Sequence, residues 1–474
     1  MATISSLGLG SGLDSETIVS KLVALEKQPI TDLQTAAGKL QTKLSSFGKI
    51  QSYLDSLNSA ASALNGSTLW RGSTASSSNS SAVQATSSTG SSAGAYAVNV
   101  SQLASSQMAA TGAWSSSTST VGAGTLSFDI GSWNADATSF SASGSTVSID
   151  IEATDTLENV RDKINAVDNL GVSASIVNDA NGARLVLKSD DSGTSHGFRV
   201  QVSDGDGNNA DAAGLSMLAY DPANGAGVMT RTQAAQNAKG SINGLEVESE
   251  TNSLSNVIDG VSLTFGSVTT SAVSVTVSND TDSMKSAVNS FVNAYNGLMG
   301  YLRDQTKYVE GSTSTNLQGD RTAIGLQQQV RSILAASSSA SSAFVRASEI
   351  GLDVQKDGTI KLNDAKLSSA LAKPDELRKF FGADGATAGE DGLTQRVADV
   401  AKGWLDVDGS LTARQQGLQK LIDINQDRQD AMQKRVDAME KRLRAQYSAL
   451  DTSMSQLSTL QNYVEQQITN WNKS

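Results

Sequence analysis

Cysteine is absent from this 474-residue chain, histidine occurs once and proline three times. Without thiols there is no disulfide framework, zinc finger, iron-sulfur site or thiolate nucleophile. A single histidine leaves little for multi-histidine metal sites or a Ser/His/Asp relay, so no catalytic, cofactor or metal-binding residue is expected. Lys and Arg number 36 against 48 Asp and Glu, a formal charge of -12 with no basic block. Phosphate binding relies on clustered cations that release counterions, which makes nucleic acid a poor partner. Hydrophobic runs fall far short of the roughly 20 residues that a membrane span needs. The start, Met1-Ala2-Thr3-Ile4-Ser5-Ser6, lacks the charged region and apolar run of a secretory signal. That pattern suits a cytoplasmic chain, and equally one exported by a route that reads no such signal.

Apolar residues make up 38% of the chain and aromatics only 5%, a balance that favours small cores, long helices and Ser/Thr-rich sheet. The length predicts two to four domains. Leu40, Leu44, Phe47, Ile50, Leu54, Leu57, Ala61 and Leu64 alternate steps of three and four, a helical seam. Upstream, Ile18, Leu22 and Leu25 follow the N-cap signal Asp14-Ser15, and Pro29 is expected to break this stretch into two helical pieces. The far end repeats the pattern through Leu418, Ile422, Asn425, Met432, Val436, Met439, Leu443, Leu450, Met454, Leu457, Val464, Ile468 and Trp471. No proline interrupts Leu411 to Trp471, which as one helix would span on the order of 90 Å. A third seam, Met284, Val288, Phe291, Tyr295, Leu298 and Leu302, follows the acidic cap Asp280 to Asp282. Three such stripes can pack together, but a lone amphipathic helix buries little while ordering each residue costs about 1 to 2 kcal/mol. Residues 1–40 and 435–474 are therefore expected to be disordered in a monomer and to become helical when neighbouring subunits supply the facing seam.

Between the helical ends the period changes to two. A Ser/Thr-rich stretch, 72–95, leads into Tyr96-Ala97-Val98-Asn99-Val100. Further strands are predicted at 125–130, 147–151, 172–177, 184–188, 198–202, 240–247, 261–265 and 273–277, separated by turn signals such as Asn181-Gly182, Asn243-Gly244 and Asp259-Gly260. One helix interrupts them, through Leu157, Val160, Ile164 and Val167. Residues 129–282 hold 21 acidic and 7 basic side chains, which reads as a solvated, self-repelling surface.

Three motifs invite chemistry. Gly193-Thr194-Ser195-His196-Gly197 fits the nucleophile-elbow pattern, but the lone histidine lies inside the motif and no helical pattern follows, so a loop turn is expected. Asp204-Gly205-Asp206-Gly207-Asn208 opens like a calcium loop, yet Asn209 and Leu215 stand where Gly and a bidentate Glu belong; this leaves at most an irregular cation site among Asp204, Asp206 and Asp211. Gly8-Leu9-Gly10-Ser11-Gly12 has no strand before it and reads as a flexible start to a helix.

Leu7-Gly8-Leu9-Gly10-Ser11-Gly12-Leu13-Asp14, followed by Glu26, Gln28 and Pro29, resembles the N-terminal signature of bacterial flagellar filament cap proteins, the hook-associated protein 2 family. Tyr96 to Ala104 is similar to the strand that opens that family's first β domain. The Thr156–Asn165, Gly171–Ala174 and Arg184–Leu187 segments resemble an internal repeat shared by flagellins and cap proteins. In the second half the resemblance is carried in order by Asn243-Gly244, Asn252, Ile258, Gly260-Val261, Leu263, Phe291 to Asn296, Gly319-Asp320, Gly351-Leu352 and Asp357 to Ile360.

The resemblance implies an α+β multidomain chain: a helical coiled-coil or bundle domain built from both ends, with mainly-β domains inserted between them. The expected boundaries are 1–40 and 435–474 for the terminal segments, 41–75 with 280–434 for the helical leg domain, 76–107 with 229–279 for a first β domain, and 108–228 for a second. It further implies export through the flagellar type III route, a ring-like, pentamer-like homo-oligomer at the filament tip, and assisted folding and insertion of flagellin. Hook-filament junction proteins and an export chaperone on the C-terminal helix are implied partners, and host mucin or cell surface an adhesion target in some members. The assembly seam is placed at Leu40, Leu44, Leu54 and Leu57, paired with Val436, Met439, Leu443, Leu450, Met454 and Leu457. The rival is a flagellin-like filament-forming subunit, which the Gly8–Asp14 and Phe291–Asn296 segments argue against.

Overall fold

The computed structural model describes residues 14–472 except 210, 309, 311–315 and 388; the Leu7–Leu13 part of the N-terminal signature lies outside them. Its helices are α1 (Ser15–Asn65), α2 (Ser67–Trp70), α3 (Leu157–Asn165), α4 (Thr281–Thr306), α5 (Arg321–Ala335), α6 (Asp364–Leu371), α7 (Pro374–Gly382), α8 (Leu393–Leu405) and α9 (Ser410–Trp471). The chain forms two compact units, Met1–Trp70 with Thr281–Ser474, and Arg71–Asp280.

In the first unit α1 starts where Asp14 accepts a hydrogen bond from Thr17 N at 3.0 Å, the capping role its sequence position suggested. The predicted break at Pro29 does not occur, and α1 runs through it as one 51-residue helix. Proline removes a donor that would bond the carbonyl four residues back. That residue, Leu25, is among the most exposed in the helix, so water can take the orphaned acceptor. The three predicted seams meet in one core: Phe47, Ile50, Leu54, Leu57 and Leu64 of α1 pack with Met284, Val288, Phe291, Tyr295, Leu298 and Leu302 of α4 and with Leu411 and Leu418 of α9. Trp70 closes one end, stacked on Phe381 with ring centroids 5.4 Å apart and its indole N–H on Leu64 O at 2.7 Å. No described helix is long and apolar enough to cross a membrane.

The second unit holds two cores, a first lobe and a second. In the first lobe a five-stranded sheet, ordered Ser73–Ser77, Val273–Asn279, Gly94–Gln102, Ala238–Ile242, Leu245–Ser249, faces a three-stranded one, ordered Ser253–Ile258, Val261–Phe265, Val83–Ser87. Alternation does the sorting: Val273, Val275 and Val277 are buried while Ser274 and Thr276 between them are exposed. The predicted 240–247 strand is a hairpin instead, because Asn243 and Gly244 both adopt positive φ, 49° and 85°, and turn the chain between Ile242 and Leu245. The second lobe wraps sheets of six and four strands around Leu126, Phe128, Leu185, Phe198 and Val200, with α3 adding Leu157, Val160 and Ile164. A full capping box between Thr156 and Asn159 starts α3.

Candidate assembly surface

The long helices α1 and α9 run antiparallel, and polar contacts set their register. Gln415 donates to Gln51 Oε1 at 3.1 Å near one end; near the other, the Arg444 guanidinium makes two 2.7 Å bonds to Glu16 and one of 2.9 Å to Glu440. Those hydrogen bonds hold Glu16 below the ordinary carboxylate value and Arg444 above its own. Being exposed, the pair fixes alignment more than stability. Between these points lies a small separate cluster, Val19, Val23, Ile30 and Val436, flanked by Met432, Leu443 and Tyr447.

This register distributes the seam residues among three environments. Leu54 and Leu57 are fully buried in the inner core, with Leu40 and Leu44 packed against its edge. Within this chain Leu54 and Leu57 therefore face α4 and the start of α9, and the partners of Val436 and Leu443 are Val19, Val23 and Ile30. The register rather than the periodicity decides this, and periodicity alone carries no register. Met439 is half-buried. Beyond Tyr447 the stripe opens to solvent: Leu450, Met454, Leu457, Leu460, Tyr463, Val464 and Ile468 are all exposed, Leu457 at 59%. Steps of three and four from Leu443 through Tyr447, Leu450, Met454, Leu457, Gln461, Val464 and Ile468 make this a heptad seam with Gln461 as its polar member.

Two of the motifs that invited chemistry fold into structural roles, and the third, Gly8–Gly12, lies outside the described residues. Ser195 Oγ lies 3.2 Å from His196 Nδ1, nearer than the adjacency of the two residues suggested, but its one proton is donated to the Glu250 carboxylate. Asp204 is 8% exposed and its Oδ2 accepts from Ser216 N and Oγ, while Asp206 and Asp211 close turns at Asn208 and Ala213. Among the described residues no group of three or more His, Asp or Glu could hold a metal ion. Nor does all the acid face water: Asp129 and Asp221 are buried around Arg199, which bonds Asp129 at 2.7 and 3.0 Å. A buried carboxylate is tolerated because a guanidinium and neighbouring amides replace its hydration.

The signature residues act as clips between segments distant in sequence. Asn243 receives Ala97 N at 2.8 Å and returns its own N–H to Ala97 O at 2.9 Å. Asn252 does the same for Ala104, at 2.8 and 3.0 Å. On α4 the Asn296 amide brackets Ile360, accepting from its N–H at 2.7 Å and donating to its carbonyl at 2.9 Å. Next to it the Tyr295 hydroxyl donates to Gly358 O at 3.1 Å, and burial pushes that phenol up to about 12. Asp320 caps α5 through Thr322 N and also accepts from Arg414 of α9 at 2.8 Å.

Comparison with known proteins places these features in one group. Residues 11–107 match the profile of the flagellar hook-associated protein 2 N-terminus, 235–459 that of its C-terminus, and 138–191 the flagellin hook IN motif, which includes α3. Over 442 residues the chain is 33% identical to the B-type flagellar hook-associated protein 2 of Pseudomonas aeruginosa, covering 90% of this chain and 89% of that one. It is 32% identical over 491 residues, 100% of both chains, to the flagellar hook-associated protein 2 of Salmonella typhimurium. The crystal structure of the D1-D2-D3 domains of the flagellar cap protein FliD from Escherichia coli is similar at 28% identity and a TM-score of 0.57, covering 79% of this chain and 99% of that one.

Proposed function

Because the chain belongs to the flagellar hook-associated protein 2 family, and is thereby a secreted flagellar cap protein of the filament tip, we propose that it works there as a non-enzymatic homo-oligomer that promotes folding and insertion of exported flagellin. The observation that carries this reading is the exposed heptad seam of α9 from Leu450 to Ile468, a surface that gains stability only when covered. In this reading Leu40 and Leu44 with Val436, Met439, Leu443, Leu450, Met454 and Leu457 form the assembly seam, and Leu54 and Leu57 hold the helical unit that presents it. Residues 1–40 and 435–474 order fully as subunits meet, which couples helix formation to capping. The β lobes, with the chain's excess of acid, form the rest of the ring. Flagellin, the junction proteins, a chaperone on the C-terminal helix and a host mucin or cell surface are the partners this function calls for.

Leu443 is the point of test, since it sits where the covered part of the stripe passes into the exposed part. A carboxylate there is incompatible with an apolar seam. Leu443→Asp is expected to abolish capping, read as loss of filaments in cells, while both β lobes keep their cooperative unfolding. Normal filament growth with this variant would overturn the seam assignment. Purified protein is expected to form discrete small oligomers; long filaments would favour a flagellin-like subunit.

A further inference from the structure

The two lobes of the β unit are joined by two chain crossings, 103–107 and 233–237. Their one backbone bridge is Ser105 with Gln236, both bonds being 3.0 Å, and Ser105 Oγ adds a bond to Ala234 O at 2.8 Å. Gln107 ties this neck to the second lobe, since its buried amide donates to Phe198 O at 2.8 Å and accepts from Phe198 N at 3.2 Å. Asn252 ties it to the first lobe through Ala104. One bridge pair between two well-anchored ends is the form of a hinge, in which a few residues absorb the dihedral change.

A further connection spans the lobes beside the neck. Segment 192–196, which leads directly into the strand holding Phe198, lies along the first lobe's edge. Ser192 Oγ donates to Glu250 O at 2.8 Å, Gly193 N to Ser105 O at 3.3 Å, and Thr194 to Asn237 Oδ1 from N at 2.7 Å and from Oγ1 at 3.1 Å. Ser195 Oγ donates to one oxygen of the Glu250 carboxylate, and His196 Nδ1 lies 3.9 Å from the other. Asn237 is itself oriented by donating to Glu248 Oε1 at 2.8 Å. Gly193 has φ 102°, and a methyl group there would stand 2.6 Å from Glu250 Cβ, so the approach requires glycine.

We propose that segment 192–196 is a latch closed by the Asn237 and Glu250 side chains, which holds the second lobe in one orientation on the two-strand neck. Releasing both side chains lets residues 108–232, which include the Thr230–Gln233 strand paired to Met108–Ala110, swing as a body. Each lobe keeps its own closed core, so opening the latch exposes no core. Apart from the buried Gly193, the latch residues are polar and exposed or half-buried, without the apolar seal that would make the joint permanent.

The absence of cysteine makes the test direct. In the full-length chain, spin labels are placed on cysteines introduced at the exposed positions Asp136 and Asp259, one on each lobe, and the distance distribution is measured by double electron-electron resonance. The latched chain should give one narrow distribution. The double substitution Asn237→Ala with Glu250→Ala, which removes the acceptors of Thr194 and Ser195, should broaden it about twofold and speed hydrogen exchange at Ser105 and Gln236 about tenfold. Gly193→Ala should do the same with the carboxylate intact. Glu250→Gln keeps an oxygen to accept from Ser195 and should stay close to the parent. Unchanged width and exchange in the Asn237→Ala/Glu250→Ala double variant and in Gly193→Ala would overturn the latch, as would broadening accompanied by lost protection at Leu126 and Val275, which would be unfolding.

Discussion

Single side chains hold distant segments of this chain together by pairing with both the N–H and the C=O of one residue, as Asn296 does for Ile360. Truncating it leaves a partly buried donor and acceptor unmet, so Asn296→Ala should destabilise the helical unit by about 1 to 3 kcal/mol in urea unfolding, with the β unit unaffected. Glu376 is a second such point. Its carboxylate, at the first turn of α7, accepts from Lys379, from the Ser341 and Ser342 hydroxyls and from Ser342 N, and these bonds lower its pKa from 4.5 to about 2. A group depressed in the folded state stabilises fully above its unfolded value and loses that contribution as pH falls through its folded one. The melting-temperature gap between the parent and Glu376→Gln should thus be constant from pH 8 to about 5 and close between pH 4.5 and about 2. A gap independent of pH would show that the carboxylate is not the stabilising species.

Elements with a long period were legible in the sequence because many positions repeat one message. The α4 stripe is buried residue for residue, α9 is continuous from Ser410 to Trp471, and the strands at 147–151 and 261–265 have the expected bounds. Short or weakly apolar elements were not. Ser73–Ser77 and Val83–Ser87 are strands made mostly of Ser, Thr and Ala, whose order comes from pairing with Val273–Asn279 and Val261–Phe265. Pro29 misled for a related reason, since propensity registers the lost donor but not the solvent beside Leu25. The seam residues could be named from their spacing, whereas their division between inner core, outer cluster and open stripe needed the α1–α9 register. The open part of α9 makes a prediction of its own. Removing residues 451–474 takes away no member of either cluster of the helical unit, so at concentrations where both are monomeric the truncated protein should melt at the temperature of the parent. Analytical ultracentrifugation should then find it monomeric at concentrations where the full chain assembles; equal assembly by both would place the oligomer contacts elsewhere.

At the scale of the whole molecule, charge is divided unequally between the two units. Arg71–Asp280 carries 20 acidic and 8 basic residues, while the rest carries 28 of each, so the β unit holds the entire net charge of -12. Helices that must lie against copies of themselves are best left uncharged overall, whereas a lobe facing solvent gains solubility from repulsion. The lack of cysteine and the scarcity of proline suit a chain that leaves the cell unfolded and refolds at the tip, without thiols to crosslink and with few slow isomerisations. The central claim, that this protein caps the filament and retains flagellin there, is tested most directly by deleting its gene and assaying the culture medium. The account predicts monomeric flagellin in the medium, loss of filaments and of motility, and recovery of all three by the parent chain but not by Leu443→Asp. Retained motility with filaments of normal length would contradict it.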